Sequence, residues 1–93
     1  MMPMSANAGA SERPRLREVF RLQWEPVQDA YVLLYPEGLV KLNPSAGEIL
    51  SRCDGTRDLD GIIGELEALF NASGLATDVY QFIDHARQRG WLD

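Results

Sequence analysis

The apolar residues of this chain change period once, at Asn43-Pro44. Before that point the pattern is that of strands. Phe20, Leu22 and Trp24 alternate with Arg21, Gln23 and Glu25, the two-residue repeat of a strand with one buried face. Pro26 ends this run, and Gln28-Asp29 suits a turn. Ala30 to Tyr35 is apolar on both faces and rich in β-formers, as a central strand is. Tyr35-Pro36-Glu37-Gly38 predicts a type I turn with a glycine bulge, returning the chain antiparallel into a third strand, Leu39 to Leu42.

After Asn43-Pro44 every apolar run has helical spacing. Ala46, Ile49, Leu50 and Cys53 share one face. Asn43 is the favoured cap, with Pro44 at the first helical position; Ser45 with Glu48 as a capping box is the alternative. Gly55 is expected to stop this helix. A second helix starts at Thr56 or Asp58 and carries the stripe Leu59, Ile62, Ile63, Leu66, Leu69 and Phe70; Gly61 and Gly64 within it raise the question of close packing. A third starts near Thr77 as cap, buries Val79, Phe82, Ile83 and Ala86, and stops at Gly90, with Trp91-Leu92 folded back over its end. Strands segregated from helices predict an α+β fold. The expected architecture is a three-stranded antiparallel meander followed by three helices, winged-helix-like with its strands moved to the front. Residues 19–93 form the expected single domain, and residues 1–18 read as a flexible N-terminal arm.

At 93 residues the chain has room for a core but little for a deep catalytic cavity. The net charge of −5 argues against nucleic acid, which needs clustered Lys and Arg. Arg13, Arg15, Arg17 and Arg21 bunch near the N-terminus, whereas Asn43 to Ala86 holds eight acidic residues against Arg52 and Arg57. No secretory signal or membrane-length apolar run occurs, so a cytoplasmic location is the default.

No residue pattern points to catalysis. The single cysteine, Cys53, lies on an apolar helix face and reads as a small buried hydrophobe. His85 and Asp84 are neighbours on a helix and do not face each other. Asp54, Asp58 and Asp60 do not make a calcium loop, because Leu59 stands where its glycine is required. No catalytic residue, cofactor site or metal site is assigned. The third strand carries a single charge, Lys41, and no proline, so its edge is either covered or a docking edge for a peptide strand.

The ordered set Arg21-Leu22-Gln23-Trp24-Glu25, Leu34-Tyr35-Pro36-Glu37-Gly38, Lys41-Leu42-Asn43, Ile49-Leu50, Asp54-Gly55 and Gly90-Trp91 resembles the PqqD family, over Arg21 to Leu92. Gly47 departs from the helix-friendly residue expected there. The resemblance implies a recognition domain that binds the precursor peptide PqqA in pyrroloquinoline quinone biosynthesis. It implies presentation of that peptide to the radical S-adenosylmethionine enzyme PqqE, which cross-links a Glu and a Tyr, with no chemistry or cofactor of its own. By analogy with related domains, the peptide adds beside the third strand, against the third helix. The implied site is Leu39, Val40, Lys41 and Leu42 with Val79, Tyr80, Ile83, Asp84 and Arg87, the alternative for Val79 and Ile83 being a place wholly in the core. Arg87 and Lys41 are the expected contacts for acidic peptide side chains.

Two tests follow at this level. Val40→Pro weakens peptide binding if the Val40 amide faces the edge, and removal of residues 1–17 leaves the melting temperature nearly unchanged. The chain is expected to be a monomer, with edge-strand dimers at high concentration. The rival readings are a winged-helix nucleic-acid binder, an adaptor for another modified-peptide pathway, and a small enzyme.

Overall fold

The computed structural model describes residues 12–93. Three strands precede three helices: β1 (Arg21–Glu25), β2 (Ala30–Tyr35), β3 (Gly38–Lys41), α1 (Pro44–Ser51), α2 (Leu59–Phe70) and α3 (Ala76–Gln88). The sheet is antiparallel in the order β1-β2-β3. Leu33 in the central strand is fully buried and faces the helices; Val32, on the other face, is buried as well. Both faces of β2 are therefore apolar, as its sequence requires.

The hairpin closes at Tyr35 opposite Gly38, around the two residues Pro36 and Glu37. Gly38 is extended, with φ 158°, and joins the strand in place of the predicted bulge. β1 also differs from expectation. Phe20 and Leu22 are half-buried against the core, but Trp24 is 46% exposed and rests edge-on against Tyr31, ring centroids 5.1 Å apart. The helices cover the middle of the sheet and leave this corner open.

Asn43 caps α1 as predicted: its Oδ1 accepts from the Ala46 N–H at 2.8 Å, with Pro44 in the first turn. Gly47 is explained by packing. A Cβ at this position would lie 2.7 Å from Tyr31 Cδ2, so only glycine lets α1 approach β2 this closely. The helix ends at Ser51, before Gly55. Gly55, at φ 84°, instead shapes the turn where its N–H donates to the Pro14 carbonyl.

Asp58 caps α2 through the Gly61 N–H at 2.7 Å. Leu59, Ile62, Ile63 and Leu66 are buried, but Leu69 and Phe70, at the end of the same stripe, are exposed. Gly64 has open space around its Cα and marks no close packing. α3 starts one residue before Thr77 and has no side-chain cap. Its C-terminus is a Schellman motif: Trp91 N–H donates to Ala86 O at 2.9 Å and Gly90 N–H to Arg87 O at 3.0 Å, with Gly90 left-handed at φ 77°. Trp91 and Leu92 fold onto the core as predicted.

The largest correction concerns the arm. Residues 12–18 are a strap bonded to the body. Leu16 N–H donates to Cys53 O, Arg17 N–H to Trp91 O, Asp93 N–H to Arg15 O and Leu59 N–H to Glu12 O, each within 3.0 Å. Pro14 is buried and Leu16 packs against the core. A run rich in Arg and Pro shows little apolar periodicity, yet its two apolar residues and its backbone suffice to dock it. Residues 1–11 of the predicted arm lie outside the described residues.

Candidate functional site: the β3 edge and the adjoining flank of α3

Among the described residues nothing pairs with the outer side of β3. Which of its groups face outward follows from one bond. Leu42 N–H donates to Tyr31 O at 3.0 Å, just beyond the end of the ladder. Inward and outward backbone groups alternate along an antiparallel strand. Val40, opposite Leu33, therefore bonds inward to β2, while Leu39 and Lys41 turn their N–H and C=O groups to the open edge. Proline at Val40 would break the hairpin rather than the docking edge, so the informative positions are Leu39 and Lys41.

The side chains of β3 divide the same way. Val40 is half-buried on the helix side of the sheet. Leu39, 59% exposed, and Lys41 lie on the opposite face, where a shallow cleft also exposes Leu34. On the helix side, Val40, Phe20, Tyr35, Glu37, Arg89 and Trp91 line a cleft of about 480 Å³. Phe20 and Tyr35 pack at 5.9 Å between ring centroids. Trp91 meets the His85 ring edge-on at 6.3 Å, and the Arg89 guanidinium lies 5.8 Å from its centroid.

The nine residues expected from the sequence do not form one surface. Leu42, Val79 and Ile83 are core residues, each at most 5% exposed. Tyr80 and Asp84 are exposed, on the flank away from the Val40 cleft. Successive helical residues turn by about 100°, so Tyr80, Asp84 and Arg87 cluster within about 60° of one another. Arg87 identifies what that flank faces. Its Nη2 lies 2.6 Å from Glu12 Oε1 and its Nε donates to the Asp93 carbonyl at 3.1 Å. It holds the strap and the C-terminus. Phe82, His85 and Arg89 occupy the opposite flank, and Arg89 brings that flank to Val40 of β3. The sequence-based expectation named Arg87, whereas the arginine that shares a cleft with Val40 is Arg89. The helical wheel separates the two flanks, but which of them meets β3 depends on where the strap docks.

The other candidates take structural roles. Cys53 is buried, its Sγ is 3.2 Å from the Ile49 carbonyl, and burial pushes its thiol up to about 12, so it is no nucleophile at neutral pH. Asp54 accepts from the Thr56 N–H at 2.9 Å and Asp58 caps α2. Among the described residues no cluster of His, Cys, Asp and Glu has the arrangement of a metal site. Arg52 and Arg57 both pair with Glu65, at 3.0 and 2.7 Å, and hold its carboxyl below the usual range. No helix of the described residues is long and apolar enough to cross a membrane.

A three-stranded antiparallel sheet ahead of three helices, with one strand edge open beside a helix, defines a small winged-helix-like α+β module. The solved structure of the PqqD portion of Methylobacterium extorquens PqqCD has this fold. It matches with a TM-score of 0.72 and 27% identity, over 86% of this chain and 87% of that one, and is described as a functional, stand-alone recognition element for ribosomally synthesized and post-translationally modified peptides. The family model for coenzyme PQQ synthesis protein D (PqqD) matches residues 30–92, and the chain belongs to this family. Similar curated proteins, each called PqqA binding protein, come from Azotobacter vinelandii, 49% identical over 86% of this chain and 88% of the relative, and from Pseudomonas aeruginosa, 48% identical with the same coverage. One from Kluyvera intermedia is 42% identical over 85% of this chain and 87% of that protein.

Proposed function

We propose that this chain binds the precursor peptide PqqA by strand addition along β3 and presents it to the radical S-adenosylmethionine enzyme PqqE. The chain acts by binding and does no chemistry itself. The observation that carries this reading is the edge of β3, where Leu39 and Lys41 turn outward backbone groups that are unpaired among the described residues, beside a half-apolar cleft. Main-chain bonds would supply affinity. The two faces of the added strand would meet Val40, Trp91 and Arg89 on one side, and Leu39 and Lys41 on the other. Family membership and the names of the relatives point to the same ligand.

The test is isothermal titration with synthetic PqqA peptide. The native chain is expected to bind one equivalent at a Kd below about 10 μM, roughly −7 kcal/mol. Lys41→Pro removes an outward N–H from an edge strand, where proline is tolerated. It is expected to weaken binding about tenfold, the upper value of one such bond. Unchanged affinity in folded Lys41→Pro would rule out strand addition at β3. No binding by the native chain would remove the function itself. Presentation is tested separately, by asking whether PqqE associates with the peptide-loaded chain and whether it still modifies PqqA when the Lys41→Pro variant replaces the native chain.

A further inference from the structure

We propose that Arg89 selects an acidic side chain in the peptide strand docked on β3; this rests on the strand-addition reading above. Arg89 differs from the other arginines of the helical region. Arg52, Arg57 and Arg87 each pair with a carboxylate. Among the described residues no carboxylate lies within ion-pair distance of Arg89, and its terminal Nη groups have no hydrogen-bond partner. Its position is nevertheless fixed. Nε donates to His85 Nε2 at 2.9 Å, and the guanidinium stands 5.8 Å from the Trp91 ring centroid. A guanidinium held this way presents its remaining donors as a planar fork, the geometry that a carboxylate accepts in two bonds.

Its place relative to β3 determines what it can read. Arg89 lines the cleft on the Val40 face of the sheet. In a strand added beside β3, every second side chain projects to that face. Lys41 points to the other face, so it cannot neutralise the same peptide position. The one carboxylate that shares the cleft, Glu37, sits exposed in the hairpin turn and is not paired with Arg89. An aspartate or glutamate at one Val40-face position of the peptide would complete the arrangement.

The experiment titrates native chain, Arg89→Gln and Arg89→Lys with synthetic PqqA peptide. The same three are titrated with peptides carrying single Glu→Gln or Asp→Asn changes, and with a C-terminally amidated form. Arg89→Gln is expected to weaken native peptide roughly tenfold, as for a charge-assisted bond. One peptide carboxylate change should weaken native chain by a similar factor and have no further effect on Arg89→Gln. Arg89→Lys should recover part of the loss, because it keeps the charge without the fork.

Equal affinity of Arg89→Gln and native chain overturns the proposal. So does an equal loss against every peptide, which would make Arg89 a packing residue on Trp91. Coupling to amidation alone overturns it too, since the partner would then be the peptide terminus. If Lys41→Pro abolishes binding while Arg89→Gln does not weaken it, strand addition stands and this inference falls. If native chain binds no peptide, both fall.

Discussion

Arg87 and Arg89 stand two residues apart on the last turn of α3, yet they belong to opposite flanks, about 160° apart on the helix. On the first flank, Arg87 holds Glu12 of the strap and the carbonyl of Asp93. On the second, Arg89 rests on His85 and Trp91 beside the open edge of β3. Residue type does not separate the two; both are arginines favoured near a helix C-terminus by its dipole. What separates them is which neighbour each flank meets. One flank closes the fold through the N-terminal strap, and the other sets Arg89 beside a strand edge that is unpaired among the described residues. On the proposed reading α3 divides stability and recognition between its two sides, and substitutions on each side should be read out by different measurements.

The sharpest way to break this comparison is to remove the strap. Deleting residues 1–17 eliminates the buried Pro14 and the half-buried Leu16, together with the backbone bonds to Cys53, Gly55, Leu59, Trp91 and Asp93. The lost burial and hydrogen bonds together are worth about 3 kcal/mol. For a domain of this size that lowers the melting temperature by more than about 10 °C. Peptide affinity of the folded truncated chain, measured well below its melting temperature, should stay within about threefold of native (about 0.6 kcal/mol), because the strap touches the cleft only through the Arg17 backbone, which bonds Trp91 and Phe20. An unchanged melting temperature would restore residues 12–17 to a flexible arm and remove the structural role of the Arg87 flank.

That outcome also marks the boundary of what the sequence made legible. The strands, the hairpin, the Asn43 cap and the Gly90-Trp91 stop were readable because each depends on neighbours close in sequence. A helix with Val79, Ile83 and Ala86 inside announces its buried face by spacing alone. The strap was not readable, because Pro14 and Leu16 are too few to make a period, and their partners are about 40 to 75 residues away. Gly47 looked like a weak helix residue until Tyr31 appeared against it. Which flank of α3 lies beside β3 was hidden for the same reason as the strap: choosing between the flanks needs the tertiary position of Glu12. The candidate site's backbone half was nearly legible, since the hairpin specifies the strand pairing, but which amides face outward was fixed only by the Leu42 bond to Tyr31.

A smaller effect tests how tightly the strap side is sealed. Leu16 N–H bonds to the carbonyl of Cys53, whose thiol is buried and raised from 9.0 to about 12. Desolvation is the main cause, with the charge of Asp54 second. A thiol with a raised folded pKa favours the folded state fully below the unfolded pKa, and that contribution is lost as pH rises from 9 towards 12. By pH 10 the loss is about 1 kcal/mol. The comparison is with Cys53→Ala, whose stability should fall less steeply between pH 8 and about pH 10 by that amount. Parallel curves would mean that the strap does not seal the thiol.

The smallest effect compares the two arginines directly. Arg87→Gln loses a partly exposed ion pair to Glu12 and a hydrogen bond to the Asp93 carbonyl. Such pairs are worth roughly 0.5–1 kcal/mol, which shifts the melting temperature by about 2–8 °C. High salt should shrink the difference between Arg87→Gln and native chain, because the pair is screened. Arg89→Gln removes no ion pair among the described residues, so its melting temperature should match native within about 2 °C (a few tenths of a kcal/mol) at either salt concentration. In peptide titrations the order reverses, with Arg89→Gln weakened and Arg87→Gln unaffected. If both variants lost stability alike and bound alike, α3 would have no functional asymmetry. The division of its flanks would then reflect only which residues happened to find a carboxylate.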